Sequence, residues 1–421
     1  MGQISASILK AFLGGCVALC VGLNASADDA ITEIIEANRY PLVYDGEGFS
    51  GTGWDFLSSE AHHAHYFLIG EEHGIAENPI LAAALFTSTP ANDGYQKLVI
   101  EVSPFMADMM DDVLETAGWD GLRDMFADHT QRPAFFGMYE EARMLADIRA
   151  SRSDEGEVLW GVDYEVVGDR PILEALAEFD KPEGAEDALA RLQSVSDMSW
   201  AKYAESGDPR YILSFSGDGN LVRDVIEAWP EPGKDAALLL ETLEETLDIN
   251  RAFMSGRGWA SNHQRAQFLR SNFLRHWRGE KSSPRVMFKL GSSHLIRGRN
   301  PTNTYDLGTL LPEIAQIEGV TAFSLLVLPG EGAMTAVLDP TTLTYSPAPG
   351  KDSYGEGMEL FYNGVQDEGF TVFDMRPLRP LSRQLEGESA EPLADVIHGY
   401  DAIVIMTGST PSRNIGEVVE E

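Results

Sequence analysis

The sequence predicts an α/β protein with a mostly parallel central sheet flanked by helices, a helical insertion and a strand-rich C-terminal part. Four apolar runs of strand length are separated by long segments with helical spacing, an alternation that is typical of parallel sheets. Because the carboxyl ends of parallel strands meet at one edge of a sheet, polar residues that follow such runs are expected to lie together. The four runs are residues 66–69, 97–100, 158–162 and 286–290.

The first run, YFLI, is followed directly by Gly70, Glu71, Glu72 and His73. An unbroken apolar run fits a strand that is buried on both faces. Its carboxyl end would place two carboxylates and an imidazole in the crevice beyond the sheet. The alternative is that Glu72 and His73 only open the next helix, whose positive end favours acids.

The other three runs also lead to ionisable residues. The second ends at Glu101, the third at Asp163, and the fourth continues through Gly-Ser-Ser to His294. Any one of these residues could be a capping acid or a loop histidine. Four at the same predicted edge indicate a shared site.

The first 27 residues have the features of a cleavable secretory signal. Lys10 precedes an apolar run at residues 11–23, and Ala25-Ser26-Ala27 is a small-x-small cleavage pattern. The run is shorter than the ~20 residues that a transmembrane helix needs. We therefore expect cleavage after Ala27 and a periplasmic or secreted protein without an integral membrane segment.

A lipoprotein attached through Cys16 is the less favoured alternative, because the apolar run continues beyond that residue. Cys16 and Cys20 are the two cysteines of the chain. Both lie in the segment that would be removed, so the mature chain is expected to have no disulfide and no thiol chemistry.

The charge of the chain argues against two classes of partner, nucleic acids and anionic membranes. It has 31 Lys and Arg against 67 Asp and Glu, a formal net charge of -36. Such a surface repels nucleic acid and anionic membranes. The expected partner is a small-molecule or peptide substrate.

The remaining segments complete a single predicted domain at residues 28–421. Its helical insertion, at about residues 170–280, is expected to lie over the sheet edge, where it could act as a lid. Apolar spacing predicts helices at residues 30–37, 54–64, 78–86, 173–179, 185–204, 220–228, 236–253 and 262–278. Strands are predicted at residues 40–44, 323–328, 334–338, 371–373 and 402–406, and a flexible surface loop at 347–357.

Three histidines near the start of the first run, His62, His63 and His65, raise the possibility of a metal site. They precede the strand and would lie at the edge away from the candidate site. We therefore interpret them as a solvated helix end. The sequence contains no Walker-type phosphate loop and no G-x-S-x-G elbow.

The order of these motifs resembles the superfamily that groups erythromycin esterases, Tiki and TraB-type proteins and ChaN-type haem-binding proteins. Its pattern is two distant G-x-x-H motifs, which here end at His73 and His294, with an acid that matches Glu101. Arg265 and Asn272 are similar to the R-x(6)-N helix of the esterase branch. Further similarities are the G-x-D strand ending at Asp163 and a closing strand at residues 400–411.

The first motif departs from the esterase form. The esterases have one more residue before the histidine and an arginine one or two helical turns later, and residues 74–86 contain no arginine. The G-E-x-H form is closer to the ChaN and Tiki branches.

The preferred hypothesis is a hydrolase for an ester or amide bond. His73 would activate water as general base, with Glu71 and Glu101 orienting it. His294 and Arg265 would stabilise the oxyanion on the attacked carbonyl. Imidazole suits the base role because its unperturbed pKa lies near neutrality.

Two alternatives remain open. The resemblance to Tiki-type proteases implies that Glu71, His73, Glu101 and His294 bind one divalent transition metal, for which Zn, Mn or Co would suit mixed His and carboxylate ligands. The resemblance to ChaN implies a protein that binds haem or another ligand without catalysis, although no residue stands out as the axial ligand.

Overall fold

The computed structural model describes residues 27–127, 132–153, 156–350, 358–366, 369–385 and 390–417. Residues 1–26 of the predicted signal segment 1–27, with Cys16 and Cys20, lie outside these residues, so export stays a prediction. Within the described part of the chain, no helix is long and apolar enough to cross a membrane.

The described residues form alternating strands and helices. The strands are β1 (Arg39–Tyr44), β2 (Phe49–Ser50), β3 (Tyr66–Glu71), β4 (Lys97–Ile100), β5 (Leu159–Gly161), β6 (Val286–Gly291), β7 (Ala322–Pro329), β8 (Met334–Asp339), β9 (Thr344–Pro349), β10 (Phe370–Asp374) and β11 (Ala402–Met406). The helices are α1 (Ala27–Ala37), α2 (Thr52–His63), α3 (Glu77–Ser88), α4 (Pro104–Met125), α5 (Tyr139–Ala150), α6 (Asp169–Glu178), α7 (Glu183–Ser206), α8 (Leu213–Ser216), α9 (Gly219–Ala228), α10 (Lys234–Met254), α11 (Gly258–Gly279), α12 (Ser292–Leu295), α13 (Leu307–Glu318), α14 (Glu359–Tyr362) and α15 (Ala390–Gly399). Short 3₁₀ helices occur at Pro209–Tyr211, Arg376–Gln384 and Ile415–Glu417.

Nine of the described strands form one sheet in the order β2-β1-β10-β11-β7-β3-β6-β4-β5. The six strands from β11 to β5 are parallel, whereas β10 runs antiparallel to both β11 and β1. The predicted fold class is therefore confirmed, and the four apolar runs are the four neighbouring strands β3, β6, β4 and β5. The strand-rich C-terminal part closes the same sheet through β7, β10 and β11.

The two faces of the sheet carry separate apolar clusters. In β3, Phe67 and Ile69 pack with α2 to α5, whereas Tyr66 and Leu68 pack with α11 and α13. Successive side chains of a strand point to opposite faces, so helices on both sides bury the whole strand. All six residues of β3 are buried, as the unbroken apolar run predicted.

The helices α6 to α11 lie between β5 and β6 in sequence, the region where an insertion was predicted. Helices α6, α7, α9 and α10 enclose their own apolar cluster, which includes Ile172, Leu189, Val222 and Leu243. The division into one domain with an insertion stays a prediction.

The loop predicted at residues 347–357 was wrong at its start. Thr344–Pro349 forms β9, which pairs with β8 in a separate two-stranded sheet. A backbone hydrogen bond from Ala336 to Gly74 joins this hairpin to the segment after His73. Residues 351–357 lie outside the described part.

Candidate active site

The candidate site lies beyond the carboxyl ends of β3, β4, β5 and β6. Glu71 is the last residue of β3, Glu101 follows β4, and Asp163 follows β5 by two positions. His294 lies on the short helix α12 after β6. The fold therefore brings together the residues that the sequence placed at one sheet edge, and α11 adds Arg265.

The Glu101 carboxylate is at the centre of this group. It accepts hydrogen bonds from Arg265 Nη2 at 2.5 Å and from the backbone N–H of Gly291 at 2.6 Å. His73 Nε2 lies 3.6 Å from Oε2, and His294 Nε2 lies 3.5 Å from Oε1. Burial alone would raise the pKa of Glu101, but His294, His73 and Arg265 hold it well below its usual range. Glu101 is therefore an anion that faces both imidazoles.

The His73 ring is held by Glu71. Its Nδ1 lies 2.9 Å from Glu71 Oε1. The pKa of Glu71 is lowered by Lys289 and His73 against the effect of burial, so the carboxylate is the acceptor and Nδ1 carries the proton. This leaves Nε2 as the basic nitrogen of the neutral ring. The His73 side chain is 22% exposed, whereas that of Glu71 is 1% exposed.

One face of the His73 ring is covered by Phe135. The two rings stack with centroids 4.1 Å apart and planes inclined by 10°. Phe135 has a φ of 66°, a left-handed conformation that is uncommon for a bulky residue. Its backbone N–H donates to the hydroxyl of Tyr345 on β9 at 2.9 Å, so the hairpin helps to hold this conformation.

Arg265 joins the ends of β4 and β5. Its Nε and Nη2 bind the Asp163 carboxylate at 3.0 and 2.5 Å, and Nη2 also reaches Glu101. Burial raises the pKa of Asp163 in spite of Arg265, and the two acids raise the pKa of Arg265 well above its usual value. Asn272, two turns along α11, donates to the carbonyl of Val162 at 2.9 Å and fixes the helix to the sheet.

His294 is held as a cation. Its Nδ1 lies 2.7 Å from Asp306 Oδ2, and its Nε2 faces Glu101. Burial and Arg265 lower its pKa, but Glu101 and Asp306 outweigh them and raise the pKa to about 10. At neutral pH the ring is therefore an imidazolium, able to stabilise negative charge next to His73.

Three buried residues near the site were missed by sequence reasoning: Asp306, which binds His294, and the pair Lys289 and Glu141. Lys289 Nζ lies 2.7 Å from Glu71 Oε1 and 2.9 and 2.8 Å from the two oxygens of Glu141 on α5. The signal for Lys289 was its position inside the strand VMFKLG, where a charge is expensive unless it is paired. Glu141 had no comparable signal, because acids are common in the first turn of a helix.

The residues do not fit the predicted metal site. In the described ranges, no group of three or more His, Cys, Asp or Glu residues could hold a metal ion. Lys289 binds Glu71 and Arg265 binds Glu101, so two of the four proposed ligands already carry a cation. A metal ion bound by these residues would have to displace Lys289 from Glu71 and Arg265 from Glu101.

The histidines before β3 lie apart from this site, as predicted. His62 and His63 are exposed, and their Nδ1 atoms contact the carbonyls of Ser58 and Ser59. His65 contacts the hydroxyl of Ser283.

Gly291 leaves room for the two side chains above it. A Cβ at this position would lie 3.0 Å from His73 Nε2 and 3.3 Å from Glu101 Oε2. Its backbone is not strained for other residues, since φ is -52°. We expect Gly291→Ala to displace the imidazole. Under the hydrolase hypothesis with His73 as general base, kcat should then fall by about tenfold, because catalysis is sensitive to small misplacements. Its melting temperature should change little.

Steady-state kinetics and a thermal melt test this prediction. Gly279→Ala is the matched control, because a Cβ there would meet nothing within 4 Å. Equal kcat values for the two variants would contradict the prediction.

Comparison with known proteins finds similar structures but no matching family. No family model matches the chain, and no curated protein matches its sequence. A structural-genomics protein from Bacillus cereus aligns with a TM-score of 0.58 and 13% identity over 92% of this chain and 99% of its own. Erythromycin esterase EreC, a mutant in its open conformation, aligns with a TM-score of 0.57 and 16% identity over 87% of this chain and 95% of its own.

A succinoglycan biosynthesis protein aligns with a TM-score of 0.56 and 14% identity over 93% of this chain and 100% of its own. Haem-bound ChaN from Campylobacter jejuni aligns with a TM-score of only 0.27 and 9% identity over 75% of this chain and 98% of its own. The chain therefore has the fold of erythromycin esterase EreC.

Proposed function

We propose that this protein is a hydrolase that cleaves an ester or amide bond with His73 as general base. The observation that carries the proposal is the pairing of His73 with two carboxylates and a second imidazole. Glu71 fixes Nδ1, and Nε2 points towards Glu101 at 3.6 Å, in a partly exposed position next to the His294 cation. A base that a third group orients in this way is the common arrangement for activating a nucleophile.

In the proposed reaction, Nε2 of His73 takes a proton from water as the water oxygen attacks the substrate carbonyl. Negative charge develops on the carbonyl oxygen, and the His294 imidazolium stabilises it. When the tetrahedral intermediate collapses, the bond to the leaving group breaks and His73 returns the proton to that group. Arg265 acts through Glu101, which it holds between the two rings.

The fold shared with an erythromycin esterase supports an ester, including a cyclic ester, as the first substrate class to test. The net charge of -36 favours substrates that are neutral or cationic. The chain lacks an arginine at residues 74–86, which argues against assuming macrolides themselves.

Hydrolysis of a substrate panel by the purified chain tests the proposal. The panel contains aryl and alkyl esters, lactones and short peptides, with products measured by chromatography. A preparation carrying His73→Asn is the blank, so that a contaminating hydrolase is recognised. Turnover by the wild type above this blank supports the proposal, and identical rates across the whole panel overturn it.

Two further arms separate the alternatives. Turnover that survives a chelator favours the metal-free site, and turnover that a divalent metal restores after chelation favours the metal version. Haem titration of a chain without turnover tests ligand binding, with a Soret band that is lost in His73→Asn or His294→Asn as the supporting result.

The pH dependence of kcat/KM follows from the two imidazoles. Burial lowers the pKa of His73, but Glu101 and Glu71 outweigh it and raise the pKa above 6.5. The base form is therefore lost as pH falls through this raised pKa. The His294 cation is lost as pH rises through about 10. We expect a bell-shaped profile whose acid limb lies above 6.5, measured in buffers of constant ionic strength. A flat profile between pH 6 and 8 would contradict the assignment of His73.

A further inference from the structure

We propose that Lys289 and Glu141 form a positioning pair that fixes the Glu71 carboxylate against His73. This inference rests on the proposed function, because it concerns the same base. It adds two residues that belong to neither G-x-x-H motif. Neither residue contacts the place where a substrate would react, so both act through Glu71.

A single oxygen of Glu71 joins the pair to the catalytic imidazole. Glu71 Oε1 accepts from Lys289 Nζ at 2.7 Å and from His73 Nδ1 at 2.9 Å. The other oxygen, Oε2, is buried and has no hydrogen-bond partner among the described residues. Lys289 therefore supplies the bond that sets the rotation of the Glu71 carboxylate and turns Oε1 towards His73.

The strand register explains how Lys289 reaches this carboxylate. Lys289 on β6 pairs with Ile69 on β3, and Gly291 pairs with Glu71. Side chains two positions apart on a strand share a face, so Lys289 lies one step below Glu71 on the same side of the sheet. On that side α5 supplies Glu141, and the preceding segment supplies the Phe136 ring, 5.2 Å from Nζ.

The charges of this group are costly in a buried place. The side chains of Lys289, Glu71 and Glu141 are 0%, 1% and 1% exposed. Apolar residues of similar volume are often neutral or stabilising replacements for buried ion pairs. Packing alone would be satisfied by an apolar residue at 289, as at Val286, Phe288 and Leu290 on the same strand. A requirement for a fixed Glu71 accounts for the charges.

The main test combines Lys289→Met with Glu141→Leu. The double variant removes a cation and an anion together, so it leaves Glu71 with His73 alone and avoids a second unpaired buried acid. We expect Tm to stay within about 5 °C of the wild type, whereas kcat falls by about tenfold or more with little change in KM. A double variant with wild-type kcat overturns the inference.

A pair of single variants separates positioning from general effects on α5. Glu141→Gln weakens the bond to Lys289. Glu140→Gln is the matched control, because Glu140 is also buried on α5 and binds Arg413 at 2.6 Å, away from Glu71. A fall in kcat for Glu141→Gln alone supports the inference, and equal effects of the two substitutions overturn it.

A measurement that needs no substrate keeps this inference distinct from the proposed function. The chain has 9 histidines, so nitrogen NMR of labelled histidine can identify His73 by the signal that His73→Asn removes. The Nδ1–H signal of His73 should broaden or shift in the Lys289→Met/Glu141→Leu variant. An unchanged signal overturns the positioning role. An active His73→Asn variant would instead overturn the proposed function and leave this result untouched.

Discussion

Replacing His73 with asparagine is expected to lower kcat by a factor of about 10²–10⁴, the usual contribution of a positioned general base. The amide N–H of asparagine can replace the ring's Nδ1–H as the donor to Glu71. Asparagine has no basic nitrogen, however, at the position of Nε2. Because the carboxylates and the His294 cation remain, KM should change much less than kcat. Single-turnover and steady-state kinetics on the best substrate of the panel measure the effect.

His62→Asn is the control for this substitution, since His62 is an exposed histidine on α2 whose Nδ1 contacts only its own helix among the described residues. It should leave kcat unchanged. A His73→Asn chain that folds and retains wild-type turnover would show that His73 is a structural residue. A loss of turnover that simply follows a loss of folded protein would do the same.

Replacing Arg265 with methionine is expected to destabilise the protein by about 3–5 kcal/mol, as is usual when one partner of a buried ion pair is removed. Arg265 is 18% exposed, but its two partners, Glu101 and Asp163, are 2% and 1% exposed. Without the guanidinium both acids must stay buried at the same sheet edge or take up protons. Urea unfolding monitored by fluorescence measures the change in the free energy of unfolding.

Arg278→Met is the matched control on the same helix. Arg278 is exposed on α11, and substitutions at such positions usually change stability by less than about 0.5 kcal/mol. The destabilisation by Arg265→Met should also shrink as pH falls, because protonated acids need no counter-ion. Equal stability of the two variants would mean that Arg265 does not hold Glu101 in place.

The central sheet could be predicted because its strands are buried on both faces. Such strands are continuous apolar runs; β4, β5 and β6 were located to within one residue at each end, and β3 to within two. The hairpin strand β9 was missed because its sequence, TYSPAP, has two prolines. Pro347 is tolerated there since, among the described strands, β9 pairs with β8 alone, and proline is compatible with an edge strand.

Helices α4 and α5 were not predicted, for a different reason. Gly118 interrupts α4 with a non-helical conformation. In α5 the acids Glu140 and Glu141 are buried, so the apolar spacing that marks a helix face is broken by charges. Glu141 was therefore missed because it lies on α5, a helix that the apolar spacing of the sequence does not reveal.

The residues of the site were predictable to the extent that they follow strands. Chain geometry at the sheet edge was enough to predict Glu71, Glu101, Asp163 and His294. Arg265 was predicted from the resemblance to the esterase pattern. Lys289, Glu141 and Phe135 could not be assigned, because their roles depend on contacts between elements far apart in sequence. The distance from Lys289 to Glu71 is 218 positions along the chain.

This separation has a consequence during synthesis. The pairing partners of β3 among the described strands are β6 and β7, which the ribosome makes late. At 5–20 residues per second, the 218 positions from Glu71 to Lys289 take roughly 10–45 s to translate, during which an apolar strand has no partner. We therefore expect chaperones that bind exposed apolar segments to bind the nascent chain. A chain truncated before β6 would lack Lys289 and His294 and so could not form the candidate site.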